Sequence, residues 1–165
     1  MSLIGHEAVL VRSEEAETLD LGGTTARLLA DAGATGGALS TLRVTLARGA
    51  DGASPHYHGG SSELFYVTDG ELQVLAGEEV VTARAGDLLV VPPELPHAFA
   101  APSSSGADLL IVITPGVERF EYFRILERLR RGEATLEELL ATQDRFDNHF
   151  LDSPTWRAAR GAGEA

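Results

Sequence analysis

The 165-residue chain contains no cysteine and no lysine; its thirteen basic residues are all arginine. The lack of cysteine excludes disulfides and thiolate metal sites together, and it agrees with a cytoplasmic protein. The lack of lysine excludes Schiff-base chemistry. No apolar run approaches the roughly 20 residues needed to span a bilayer, so no membrane partner is expected. Residues 1–12 lack a basic region followed by an apolar block, and no secretory signal is expected. Positive charge is scarce as well: 13 basic residues face 25 acidic ones, a net charge of −12. The excess lies in residues 1–117, with fifteen acidic and five basic side chains, whereas residues 118–165 carry ten and eight. An acidic body repels phosphate backbones, so nucleic acid is not an expected partner. The length suits a single domain with a substantial core.

What is present is mostly short apolar runs between glycine and proline breaks. Ala8-Val9-Leu10-Val11 and Thr24 to Ala30 read as strands, and Leu39 to Leu46 alternates with Leu42, Val44 and Leu46 on one face. Glu63 to Thr68 is a further strand, closed by the turn signal Asp69-Gly70. Glu71 to Leu75 and Glu79 to Ala83 form a hairpin about Gly77. Leu88 to Val91 reads as a buried strand stopping at Pro92-Pro93, and Pro96 to Ala100 and Leu109 to Ile113 follow. Many short strands at near-regular spacing indicate an all-β sandwich or barrel. The pattern changes after Thr114-Pro115-Gly116. Glu118 to Arg131 and Leu136 to His149 read as two amphipathic helices, the second opened by the capping-box sequence Thr135-Leu136-Glu137-Glu138, with a loose tail after Arg157. The expected organisation is a β-barrel over residues 1–117 and a helical extension over 118–165 that covers the barrel or a subunit contact.

Chemistry concentrates in Pro55-His56-Tyr57-His58-Gly59-Gly60-Ser61-Ser62-Glu63. Histidines at i and i+2 on an extended segment place both imidazoles on one face, and the Gly-Gly-Ser-Ser run turns the chain back to Glu63. Two imidazoles and a carboxylate converging in this way bind a first-row transition metal with positions left open. His97 lies downstream in a similar setting behind a proline-rich turn. A His-x-His pair by itself is more often a pair of surface histidines; Glu63 and His97 in register change that balance. His6 and His149 have no such context and read as solvent-facing or helix-terminal. Glu71 and Glu94 read as surface acids, Glu94 near enough to His97 to reach a pocket mouth.

The two segments together resemble the cupin family. Its first motif is Gly, spacer, His-x-His, three or four residues, Glu, six residues, Gly. Here His56-x-His58, Glu63 and Gly70 match, with Gly49 or, more loosely, Gly52 upstream. Its second is Gly, five residues, Pro-x-Gly, two residues, His, three residues, Asn. Gly86, Pro92 and His97 match, while Glu94 stands in place of the second Gly and Ala101 in place of Asn. The resemblance spans residues 49–101. It implies a mainly β, double-stranded β-helix or jelly-roll barrel with C-terminal α-helices. It further implies one divalent metal ion (iron, manganese, nickel, copper or zinc) held by His56, His58, Glu63 and His97. By strand alternation Phe65 and Val67 share the inward face with Glu63, and Phe99 shares that of His97; these three are the expected substrate-binding wall.

A looser similarity, through Pro96-His97-Ala98-Phe99 and Thr114 to Phe120, is to single-barrel flavonol dioxygenases of the quercetinase type. It implies a metal-dependent dioxygenase acting on a small aromatic or enolic molecule, with Glu63 as both ligand and catalytic base. The residues leave two other readings open: a metal-assisted isomerase, cyclase or decarboxylase, and a barrel that binds a small molecule without chemistry. The cupin resemblance implies a homodimer, since single-domain cupins commonly exchange or pair edge strands, and an uncovered barrel edge favours such pairing physically.

Overall fold

The computed structural model describes residues 7–161; His6 lies outside them. The chain forms β1 (Thr18–Asp20), β2 (Thr24–Ala30), β3 (Ser40–Leu46), β4 (Asp51–Tyr57), β5 (Ser62–Ala76), β6 (Glu79–Arg84), β7 (Leu88–Val91), β8 (His97–Ala100) and β9 (Ala107–Thr114). They are followed by α1 (Phe120–Arg130), α2 (Leu136–Leu140), α3 (Gln143–Phe146), β10 (His149–Phe150) and α4 (Pro154–Gly161). The strands pair in the order β1-β2-β3-β9-β5-β8-β4-β10, with β6 and β7 each joined to β5. Every pairing is antiparallel, and the result is the curled jelly-roll sheet expected from the sequence.

Period-two alternation builds the interior. In β2, Thr24, Ala26, Leu28 and Ala30 are buried, in β3 Ser40, Leu42, Val44 and Leu46, and in β9 Ala107, Leu109, Ile111 and Ile113. Of these, Ala26, Leu28, Leu42, Val44, Leu46, Ala107, Leu109 and Ile111 share one apolar core with Phe65, Val67, Leu72 and Val74 of β5. β5 serves both halves: Glu63–Tyr66 lies between β7 and β9, and Gln73–Ala76 between β6 and β8. Asp69-Gly70 is therefore not the turn expected from its sequence. The strand continues through it with a register shift against β9 between Val67 and Asp69. Gly70 has φ +73°, and a Cβ there would stand 2.0 Å from the Gly106 carbonyl oxygen. A bulge with that close approach bends the strand from one half of the barrel into the other.

Four other expectations are corrected. Ala8 to Val11 forms no strand, and Val9, Leu10 and Val11 are exposed, because no neighbouring strand offers them a ladder. β7 is a strand but not a buried one: it pairs only with β5, and Leu88 and Val90 are 58% and 54% exposed. An apolar run signals a strand without saying how many neighbours it has. The second expected helix is broken. The capping box at Thr135 and Glu138 does open α2, but the chain breaks again at Asp147, φ +49°, and His149–Phe150 pairs with β4. The open edge of β4 satisfies backbone groups that a longer helix would have satisfied internally. Residues after Arg157 do not form a loose tail within the described part. α4 buries Trp156 against Leu75, Ala98 and Ala100, and Arg160 bonds Asp51, Gln73 and the Ala101 carbonyl. Among the described residues no helix is long and apolar enough to cross a membrane.

Candidate metal centre

Three strands bring the four expected ligands together. At the end of β4, alternation turns His56 and His58 inward, while Tyr57 between them stacks on His149 at 4.9 Å. β5 turns Glu63 inward on the face of Phe65 and Val67, and β8 sets His97 directly across from His56. All four side chains are buried, and their candidate ligand atoms lie within 4.8 Å of one another. His149 thus sits in a strand, with Nε2 3.1 Å from the Asp147 carboxylate, and takes no part in the cluster.

The hydrogen bonds fix the tautomers. Nδ1 of His56 faces the Ser54 carbonyl at 2.7 Å, Nδ1 of His58 the Asp147 carbonyl at 2.7 Å, and Nδ1 of His97 the Leu95 carbonyl at 2.9 Å. A carbonyl only accepts, so each Nδ1 carries the proton and each Nε2 turns a lone pair inward. Two of those Nε2 atoms lie 2.8 and 2.6 Å from Glu63 Oε2, itself an acceptor, and that of His56 lies at 3.9 Å. Acceptors so close need positive charge among them, as protons on nitrogen or as a metal ion. Backbone carbonyls that orient the ligating imidazoles are the usual outer support of a metal site. Burial pushes the Glu63 carboxyl up, but where His58 and His97 carry a second proton on Nε2 their hydrogen bonds and charges outweigh it and hold the group well below the usual carboxylate range. Burial holds His56 well below the ordinary imidazole value, so it is neutral and able to ligate. Three neutral imidazoles and one carboxylate are a donor set that fits a first-row divalent ion with open positions.

Two loops outside the strands hold this geometry. Asp147, in the left-handed conformation after α3, supplies the carbonyl to His58, and its carboxylate accepts the N–H groups of Gly59 and Gly60 at 2.7 and 2.8 Å. Glu94, where the cupin motif has glycine, keeps the left-handed turn at φ +68°, and its N–H donates to the His58 carbonyl at 2.7 Å. A non-glycine residue costs on the order of 1–2 kcal/mol there. Its exposed side chain places the acid outside the ligand cluster. Ala101, in the motif's Asn position, is fully buried and donates its N–H to the Ala50 carbonyl at 2.9 Å.

The cluster borders a cavity of about 420 Å³. His56, Glu63 and Phe99 are in its wall, and α1 and α2 close it with Phe123, Leu126, Leu129, Leu136 and Leu139. The apolar stripe on these helices therefore walls the cavity as well as covering the barrel. Gly52 lets the Phe99 ring lie on the β4 backbone; a Cβ there would meet the ring at 2.2 Å. Phe65 and Val67 are fully buried in the core behind this wall, where Phe65 meets Phe99 and His97 edge-on at 5.4 and 6.1 Å. Three polar wall residues had no signal in the sequence: Arg119, Tyr122 and Asn148. Arg119 opens a helical stripe and Asn148 belongs to no pattern, so only the folding of the C-terminal segment over the barrel mouth reveals them.

Residues 42–113 match the family model described as a cupin domain. No curated protein sequence matches the chain. Among solved structures, an RmlC-like cupin from Shewanella frigidimarina is similar, at 24% identity and TM-score 0.54 over 69% of this chain and 96% of that one. A variant of Streptomyces PAC13 with uridine is similar at 21% identity and TM-score 0.55, over 68% and 86% of the two chains. The polyketide cyclase RemF from Streptomyces resistomycificus gives 17%, 0.54, 74% and 97%. The matched domain, residues 42–113, holds all four inward-facing ligands, and the strands around them adopt the fold of those cupins.

Proposed function

We propose that the protein is a metal-dependent enzyme acting on a small, largely apolar molecule, and that its reaction is dioxygenation of an aromatic or enolic substrate. The observation that carries this reading is the meeting of three imidazoles and one carboxylate at the wall of an apolar cavity. A divalent transition metal held by His56, His58, Glu63 and His97 would supply Lewis acidity and, for iron, manganese, nickel or copper, access to dioxygen chemistry. The chain's own residues supply the rest. Ser54, Leu95 and Asp147 hold the rings through their carbonyls. Glu63 is the only carboxylate in the cavity wall among the described residues, so it is the base positioned to take a substrate hydroxyl proton. Phe99 and the leucines of α1 and α2 exclude water from that proton transfer.

Elemental analysis of protein purified without chelators or nickel resin should find about one transition metal per chain, lost in His56→Ala. Turnover of a flavonol with dioxygen uptake should fall in Glu63→Gln by more than its metal content does; equal loss of both would remove the base role. A second reading is favoured by the chemistry named for proteins of the same fold, a nucleoside dehydratase and a polyketide cyclase. In it His56, His58, Glu63 and His97 would hold an ion whose Lewis acidity serves a carbonyl or leaving oxygen without dioxygen, and activity would persist anaerobically. Binding with metal present and no product under either atmosphere would leave the chain a small-molecule binder.

A further inference from the structure

Arg119 is 95% withdrawn from solvent, yet it takes part in no ion pair among the described residues. Its guanidinium cannot shed its charge, and burying a charge without a counter-ion is costly. What surrounds it offers only part of the compensation. The rings of Tyr122 and Phe123 lie 5.0 and 5.5 Å from Cζ, and Nη2 donates to Asn148 Oδ1 at 3.2 Å. Nη1 touches His58 Nδ1 at 3.4 Å, but the proton of that nitrogen is committed to the Asp147 carbonyl, so the contact adds no acceptor for the guanidinium. Nε has no partner.

Asn148 completes the pattern. It is 98% buried, and its carbonyl oxygen is taken by Arg119, which leaves the amide nitrogen as the free end. That nitrogen makes no well-formed hydrogen bond among the described residues, although the Tyr122 phenol lies close beside it. Two donors, one of them charged, thus stand unsatisfied in the wall of the same cavity, beside an imidazole of the metal centre. Buried donors in native proteins are almost always paired. An acceptor able to meet both, in an otherwise apolar cavity, is an oxygen of the bound molecule, and the charge calls for an anionic one.

We propose that Arg119 and Asn148 form an oxyanion-binding pair for the substrate, which is therefore a largely apolar molecule carrying a carboxylate or an ionised enol. The substrate class deepens the enzymatic reading and rests on it, but the binding preference itself requires neither a metal nor turnover. Arg119 and Asn148 act as binding residues, setting which molecule enters and how it lies against the metal centre.

The test is calorimetric titration of the full chain, chelated and then reloaded with one divalent metal. The probes are 1-naphthoate, the ionised enol 2-hydroxy-1,4-naphthoquinone, and the neutral 1-naphthamide. At least one anion should bind about 10- to 100-fold more tightly than the carboxamide, the range expected for a charged hydrogen bond, and the tighter of the two names the oxygen class. The preference should vanish in Arg119→Met and shrink in Asn148→Leu, while Arg119→Lys keeps part of it. Wild-type protein that binds the carboxamide as tightly as both anions overturns the proposal, with no variant needed. So does an undiminished preference in folded Arg119→Met. Should the chain carry no metal and still prefer the anion, the metal reading alone falls; should it carry metal without the preference, this inference alone falls.

Discussion

At the scale of single residues, the site depends on where protons sit. The three carbonyls that take the Nδ1 protons determine that all the inward nitrogens present lone pairs. Tyr122 shows the complementary effect. Burial pushes its phenol up to about 12, so it stays protonated in the cavity wall and can donate. Because its folded value lies above the unfolded one, the associated stability is fully present below about pH 10 and is lost as pH rises towards 12. The loss is on the order of 3 kcal/mol at the upper end. Of the three tyrosines, Tyr57, Tyr66 and Tyr122, the last should ionise late in an ultraviolet titration, and the late step should disappear in Tyr122→Phe. A wild-type curve identical to that of the variant would contradict the buried, protonated phenol.

At the scale of elements, the decisive contact joins the C-terminal segment to the His58-Gly59-Gly60 turn. The left-handed break after α3 lets Asp147 offer its carbonyl to His58 and its carboxylate to two glycine N–H groups at once. Burial pushes the Asp147 carboxyl up, but the N–H groups of Gly60 and Gly59 outweigh it and hold the group below the usual carboxylate value. Asp147→Ala removes the carboxylate that takes the Gly59 and Gly60 N–H groups, leaves the backbone carbonyl that faces His58, and touches no ligand; the turn that orients His58 loosens. Metal affinity measured by competition with a chromogenic chelator should fall about 10- to 100-fold, with the circular dichroism spectrum retained. Affinity equal to wild type would mean that the barrel strands alone fix the ligand geometry.

At the scale of the whole molecule, one outer face is conspicuously apolar. Tyr66 pairs with Leu88 and Leu64 with Val90, all four turned away from the core, and β7 has a free edge beside them. Tyr66, Leu88 and Val90 are exposed. We propose that the homodimer expected from the sequence forms here, the free edge of β7 meeting its copy about a two-fold axis. Light scattering at micromolar concentration should give twice the 17.5 kDa chain mass, and Leu88→Arg should halve it. A single-chain mass for the unaltered protein would refute the dimer, and an unaltered mass in the variant would move it to another face.

The sequence by itself determined the barrel and the ligand cluster, because both rest on local order. Alternation with period two turns His56, His58, Glu63 and His97 inward in any strand that buries Phe65, Val67 and Phe99. Glycine and proline placed the turns, although Asp69-Gly70 shows that the same pair serves a bulge when a neighbouring carbonyl approaches closely. What only the tertiary structure decided is everything that depends on partners distant along the chain. Leu88 to Val91 could be read as a strand, but its exposure follows from having one neighbour. Leu136 to His149 could be read as helical, but the open edge of β4 drew its end into a strand. Nothing local marks Arg119, Tyr122 or Asn148 as a polar wall; they become one only when the C-terminal segment folds across the cavity. Periodicity encodes which way a side chain points relative to its own backbone, and it carries no information about which distant segment it will meet.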